Sequence, residues 1–221
     1  MKRVLAVFIV FIVGVVIIIY INNDFFNRKK LPVLSPCDVN QDLYDSTLYR
    51  KCIGHKISDF KLIDQLNRKV NIEDLRGKII IADFFFVSCP GICLKMTKNL
   101  NEIHKNFKFD SSVLILSHTV WPELDSPKVL FNYAESYNVN HDNWRFLTGD
   151  KKELYRLART NYLVAPDVKD PNYKHGSSAD FIHTENIVLV DRKQRIRGIY
   201  DGTDSLEMST LLNDIKVLKK N

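Results

Sequence analysis

The chain is short of the features that announce a specialised class. It has no internal repeat and no low-complexity tract, which sets aside solenoids, collagen-like rods and long disordered arrays. An excess of one charge is missing beyond the first 30 residues. Residues 1–30 hold five of the 32 lysines and arginines and one of the 26 acidic residues, leaving 27 against 25 over 31–221. That balance excludes a nucleic-acid footprint. Cysteine is sparse, four in 221 residues, so each one has to be accounted for singly. Only one apolar run reaches membrane-spanning length. The small residues of a signal-peptide cleavage site are absent after it, where the chain reads Tyr20-Ile21-Asn22-Asn23-Asp24-Phe25-Phe26.

That run, Val4 to Ile21, is 18 residues without a charge, flanked by Lys2 and Arg3 and then by Arg28, Lys29 and Lys30. It meets the lower limit for crossing a bilayer and predicts a retained single-pass anchor over 1–21. The flanking basic clusters suit lipid headgroups. A reactive cysteine pair fits an oxidising compartment. Residues 31–221 are therefore expected on the extracytoplasmic, periplasmic side of a cytoplasmic (inner) membrane. Residues 22–54, polar and with prolines at 32 and 36, read as a tether, and 55–221 as one domain with a real core.

What is present most plainly is Cys89 and Cys93 in Phe84-Phe85-Phe86-Val87-Ser88-Cys89-Pro90-Gly91-Ile92-Cys93. The apolar stretch Ile79 to Val87 reads as a buried strand, and a helix follows. Pro90 suits a first helical position, which places Cys89 at the N-cap, where the helix dipole favours a thiolate. Cys93 falls one turn on along the same face, roughly 5–6 Å away between Cβ atoms. Two soft sulfurs so placed can close a disulfide or hold one thiophilic metal ion.

Downstream, Ile92, Met96, Leu100, Ile103 and Phe107 recur at helical spacing, Val113 to Leu116 reads as a strand, and Pro127 opens a helix. A short strand at Phe146-Leu147 and a helix capped by Asp150 and running through Thr160 precede a long loop, 164–180. A hairpin, Ile187–Val190 and Ile196–Tyr200, and a helix capped by Ser205 close the chain. Upstream, Phe60–Ile63 and Lys69–Ile72 form a small hairpin. This order is that of an α/β, thioredoxin-like domain.

Several blocks in this order carry a resemblance. Ala82 to Cys93 resembles the C-P-x-x-C signature of the Sco/SenC family, membrane-tethered thioredoxin-like copper proteins that assist cytochrome c oxidase assembly. Leu116-Ser117-His118-Thr119 and Asp125-Ser126-Pro127 resemble its second strand and next helix opening. Trp144 to Asp150 resembles its W-x-F-L-T-G block, and Asp180-Phe181-Ile182-His183-Thr184 the segment bearing its copper-binding histidine. Trp121 stands where many members have an aspartate, and Leu94 where a proline often follows the second cysteine.

The resemblance implies copper, as Cu(I) or Cu(II), held by Cys89, Cys93 and His183. It implies delivery to the dinuclear copper site of cytochrome c oxidase subunit II or a similar cuproprotein, with a thiol reductant protein as a second partner. Two thiolates and one imidazole make a soft three-coordinate set that suits copper. His175, in the long loop, is the other candidate ligand. The redox alternative is a thiol–disulfide oxidoreductase with Cys89 and Cys93 as the active pair. Asp83 precedes Cys89 at the offset of the buried carboxylate in thioredoxins and can move protons; its plainer role is a local hydrogen bond. A thiol peroxidase would need a lone activated cysteine with threonine and arginine support, a set not seen. Cys37 and Cys52 can close a disulfide, can form a second metal site with His55, or can remain free thiols.

Overall fold

The computed structural model describes residues 12–15, 30–165 and 182–220. The chain divides into two units, Met1–Lys30 and Leu31–Asn221. In the first, residues 12–15 are helical. Among the described residues no helix is long and apolar enough to cross a membrane. The remaining positions of the expected anchor, 1–11 and 16–21, lie outside the described residues, as does His175.

The second unit is built on a seven-stranded sheet. Its strands are β1 (Lys61–Asp64), β2 (Lys69–Asn71), β3 (Ile79–Phe85), β4 (Val113–Thr119), β5 (Trp144–Thr148), β6 (Asn186–Val190) and β7 (Ile196–Asp201). Their order across the sheet is β2-β1-β5-β4-β3-β6-β7. β3, β4 and β5 are parallel neighbours, and β1 and β6 flank them antiparallel. Every residue of β3 and β4 is buried, as expected of strands covered on both faces.

Among the described residues of this unit the α-helices are α1 (Ile92–Phe107), α2 (Pro127–Ser136), α3 (Lys151–Arg156) and α4 (Ser205–Lys220). Alternation along β3 splits the core in two. Ile79, Ile81 and Phe85 pack with Met96 and Leu100 of α1, Leu130 of α2 and Leu211 of α4. Ile80, Ala82 and Phe84 face the other layer, with Leu154, Leu157 and Tyr162. Met96 is fully buried among these core side chains.

Carboxylates set both hairpin turns. Asp64 accepts the N–H groups of Leu66 and Arg68 at 2.9 and 2.8 Å, and Asp191 those of Lys193 and Arg195 at 2.9 and 3.1 Å. Each turn contains one residue at positive φ, Asn67 and Gln194. Such Asx geometry trades strand pairing for local bonds and reverses the chain.

Four expectations need correction. The helix after the cysteines begins at Ile92 with Gly91 as N-cap, so Pro90 precedes the helix and Cys89 is not the cap. Ile92 is exposed, and Cys93 takes its place in the buried stripe with Met96, Leu100, Ile103 and Phe107. The helix capped by Asp150 is α-helical only to Arg156, then widens into a π-turn over Leu157–Asn161. Ser205 is the first residue of α4 rather than its cap; Asp204 accepts the Leu206 N–H at 2.7 Å.

The segment read as a tether is built into the domain from Leu31 onward. Leu34 donates to the Ile196 carbonyl at 2.8 Å, Arg197 donates to the Pro32 carbonyl at 2.6 Å, and Tyr44 is fully buried. Its polar composition hides two apolar anchors, Tyr44 and Leu48. Cys37 and Cys52 are joined in a disulfide across this segment, with Cα atoms 4.9 Å apart. With both sulfurs so engaged, a second metal site there with His55 has no thiolate. His55 Nε2 instead meets the Asn161 carbonyl at 2.8 Å.

Candidate thiol and metal site

The site lies where β3 gives way to α1. The chain leaves the sheet after Phe85, turns through residues 87–88, and the Cys89 N–H returns to the Phe86 carbonyl at 3.2 Å. A carboxylate from another element holds this turn. Asp125, 2% exposed, accepts the Val87 N–H at 3.2 Å and the Thr119 hydroxyl at 2.5 Å. Thr119 in turn accepts the Trp121 N–H at 2.9 Å, and the Trp121 ring meets Phe86 edge-on at 5.8 Å. Burial raises the Asp125 pKa against the pull of these two donors. The cysteine turn is thus fastened to the end of β4 and the start of α2.

Cys89 and Cys93 are free thiols, both largely buried. Burial by itself would raise Cys89. A hydrogen bond from the Cys93 thiol and the backbone N–H groups of Gly91 and Cys93 outweigh it, so Cys89 titrates below an ordinary thiol. These two N–H groups belong to the opening of α1, whose N-cap Gly91 has no side chain to satisfy them. The expected lowering of the Cys89 pKa is thus found although Cys89 sits outside the helix. Cys93 moves the opposite way. Burial, the hydrogen bond it gives to Cys89, and the charges of Cys89 and Asp83 push it up. The pair parts with its first proton readily and its second reluctantly.

Asp83, on β3, is 1% exposed. Its Oδ1 accepts the Ser117 hydroxyl at 2.6 Å, and Ser117 accepts the Trp144 indole N–H at 2.9 Å. Burial outweighs these donors and pushes the carboxyl up to about 7. Asp83 thus makes a hydrogen bond within the sheet, and its charge also acts on Cys93. Ser117, Trp144 and Asp125 were not foreseen as parts of the site, although their sequence blocks stood out. Nothing local in the sequence couples Asp83 to Trp144.

The histidines sort differently. His118 is fully buried on the face away from α1, stacked on Phe84 at 4.8 Å, and its Nδ1 meets the Asp83 carbonyl at 3.1 Å. Burial pushes it down to about 4, so it is a neutral imidazole at physiological pH. His183 is exposed, between buried Ile182 and buried Thr184. Among the described residues no three or more His, Cys, Asp or Glu side chains converge as a metal cluster. The structure thus brings Asp83, Cys89 and Cys93 together and does not gather His183 with them.

A family model described as SCO1/SenC matches residues 53–219. The chain belongs to this family. It is 30% identical over 166 residues to the SCO1 protein homolog of Bacillus subtilis (strain 168), spanning 74% of this chain and 83% of that one. Among solved structures it is similar to BsSco, a member of the Sco family of cytochrome c oxidase assembly proteins in which a disulfide switch has been identified. There the TM-score is 0.62 at 29% identity, over 76% of this chain and 95% of the other. It also shares the fold of Bradyrhizobium japonicum ScoI, solved with copper bound, at TM-score 0.57 and 24% identity, over 75% and 99% of the two chains. The thioredoxin-like α/β architecture expected from the order of elements is therefore the Sco fold. The SCO1/SenC match begins after Cys52, so the disulfide-bearing segment lies outside it.

Proposed function

We propose that this chain is a membrane-anchored, extracytoplasmic copper-binding assembly factor. Residues 1–21 anchor it in the cytoplasmic membrane, and Cys89, Cys93 and His183 hold copper for a cytochrome c oxidase subunit II or a similar cuproprotein. One observation carries the reading: two unlinked, buried thiols sit four residues apart just beyond β3, and Cys89 titrates below an ordinary thiol. That donor set fits a soft ion. Cys89 and Cys93 would hold copper as thiolates, giving up their protons, and the His183 imidazole would supply a third, nitrogen donor, a soft set that suits copper. The copper is cargo, so a site that forms around it and releases it suits delivery better than a rigid cage.

Asp83 supports a second reading, thiol–disulfide exchange on a partner. The Cys89 thiolate attacks one sulfur of the partner's disulfide, forming a mixed disulfide and releasing the other sulfur as a thiolate. Cys93 then gives its proton to Asp83 and attacks Cys89. Cys89–Cys93 closes, and the partner leaves with two reduced sulfurs. A thiol reductant protein restores the pair by the same exchange in reverse. One pair of sulfurs cannot be a disulfide and a metal ligand at once, so the two activities alternate on one site.

The deciding experiment measures copper content and free thiols of the full chain beside Cys89→Ser, Cys93→Ser and His183→Ala. The copper reading expects about one copper per chain, lost in either serine variant, with a nitrogen ligand lost in His183→Ala. Normal loading of Cys89→Ser would overturn it. Absence of copper from the intact chain, alongside rapid exchange with a disulfide substrate, would favour the redox reading.

A further inference from the structure

The cysteines and His183 lie far apart in sequence, and a run of buried hydrogen bonds joins their supports. Phe85, the last residue of β3, accepts the Val120 N–H at 2.8 Å. The Val120 carbonyl accepts the Tyr155 hydroxyl at 2.9 Å. The same phenol oxygen accepts the Ile182 N–H at 3.4 Å. Ile182 immediately precedes His183, so three hydrogen bonds tie the backbone before the histidine to the strand that leads into Cys89.

Tyr155 is well suited to be the middle of this run. It is 1% exposed, and Lys151 and Arg159 lie over its ring at 5.3 and 5.4 Å from the centroid. On the other side of His183, Thr184 is buried and its Oγ1 accepts the N–H and side-chain amide of Asn186 at 3.2 and 3.0 Å. Asn186 opens β6, which pairs with β3. His183 is thus an exposed imidazole between two fastened neighbours.

We infer that Tyr155 is a positioning residue for His183, its hydroxyl fixing the backbone ahead of the imidazole to the cysteine-bearing end of the sheet. The inference rests on His183 being a copper ligand. Recruiting a third ligand costs the conformational freedom of the backbone that carries it. A phenol that has already removed part of that freedom makes the nitrogen bond cheaper to form, which is preorganisation of a ligand rather than a contact with copper. The plainer role for Tyr155 is that of a core aromatic whose hydroxyl is merely satisfied. Tyr162 provides the comparison. It is fully buried on the same face of the sheet, and its hydroxyl has no partner among the described residues.

The test compares Tyr155→Phe and Tyr162→Phe in the full chain. Each deletes one buried oxygen and keeps the ring. The readouts are Ile182 amide exchange without metal, nitrogen coupling in the Cu(II) spectrum, and Cu(II) and Cu(I) affinity. Tyr155→Phe should speed Ile182 exchange, weaken the His183 nitrogen signal and lower Cu(II) affinity about three- to tenfold, the worth of one hydrogen bond. Cu(I), held mainly by sulfur, should change less. Tyr162→Phe should leave all of these at wild-type values. Unchanged Ile182 exchange or an intact nitrogen signal in Tyr155→Phe overturns the inference, and so does an equal loss in Tyr162→Phe. His183→Ala separates the two levels. If it leaves the wild-type nitrogen signal in place, the ligand reading fails and the positioning role falls with it. If it removes that signal while Tyr155→Phe does not, only the positioning role is lost.

Discussion

The two cysteine pairs are made of the same atoms and have been given opposite lives. Cys37 and Cys52 are separated by 15 positions, exposed, and joined, on a segment of 3-10 turns. Cys89 and Cys93 are buried and free at a strand–helix junction. The difference lies in the surroundings rather than in the thiol. At the second pair, unsatisfied N–H groups of a helix start converge on one sulfur, and a buried carboxyl lies within electrostatic reach of the other. One thiolate is made easy and two are made hard, which suits exchange and soft-metal capture. At the first pair the disulfide closes a loop within a polar segment that the Leu34 bridge, Tyr44 and Leu48 hold to the domain.

The largest effect expected from this contrast is on copper. Cys89→Ser or Cys93→Ser should abolish tight binding, because serine supplies no soft donor. The double variant Cys37→Ser/Cys52→Ser should keep it. Copper titration of the two sets breaks the comparison if the outer pair proves necessary for loading.

Next in size is the pH dependence of Asp83. Its carboxyl, pushed up to about 7 in the fold from 3.8, binds its proton more tightly folded than unfolded. The stabilising contribution is complete below the unfolded value and is lost as pH rises through the folded one. Stability should therefore fall between about pH 4 and 7, by up to about 4 kcal/mol from this group. Buried His118, pushed down to about 4, contributes a slope of the opposite sign over much of this window, so the check is a difference: by denaturant unfolding, Asp83→Asn should gain stability relative to the wild-type chain as pH rises from about 4 to 7. The same substitution should slow thiol exchange more than it weakens copper binding; the reverse result returns Asp83 to a purely structural part.

Loss of the outer disulfide should cost about 3 kcal/mol by loop entropy, read as a shifted denaturant midpoint under non-reducing conditions. A Cys37→Ser/Cys52→Ser chain as stable as wild type would mean that Tyr44, Leu48 and the Leu34 bridge already hold the segment. The smallest effect is at the clamp. Asp125→Ala leaves the Val87 N–H and the Thr119 hydroxyl without their acceptor, at about 1–3 kcal/mol. It should also loosen the turn before Cys89, so that alkylation no longer discriminates strongly between Cys89 and Cys93. In the wild-type chain Cys89 should react first, being the sulfur that is more often thiolate.

Much of this was legible in the residues because it is local. A continuous apolar run marks β3, a stripe at helical spacing marks α1, and Pro127 marks the opening of α2. An apolar strand running into a cysteine pair marks the working end by residue order alone. The disulfide was one of several open possibilities, and proximity alone chose among them. The helix start moved from Pro90 to Ile92 because Gly91 adopts the cap position, a backbone choice that proline only suggests.

The sequence by itself determined the elements, their order, the family they belong to and the chemical type of the site. Tertiary structure decided which side chains tune it. Ser117 reaches Asp83 and Trp144 reaches Ser117, Asp125 reaches Val87, and Tyr155 links Val120 to Ile182. These partners are brought together by parallel strands and crossovers, so no spacing along the chain encodes them. A periodic pattern reports which face a residue occupies; only the packed sheet fixes which polar group it meets there, and that meeting sets the proton affinities on which the site depends.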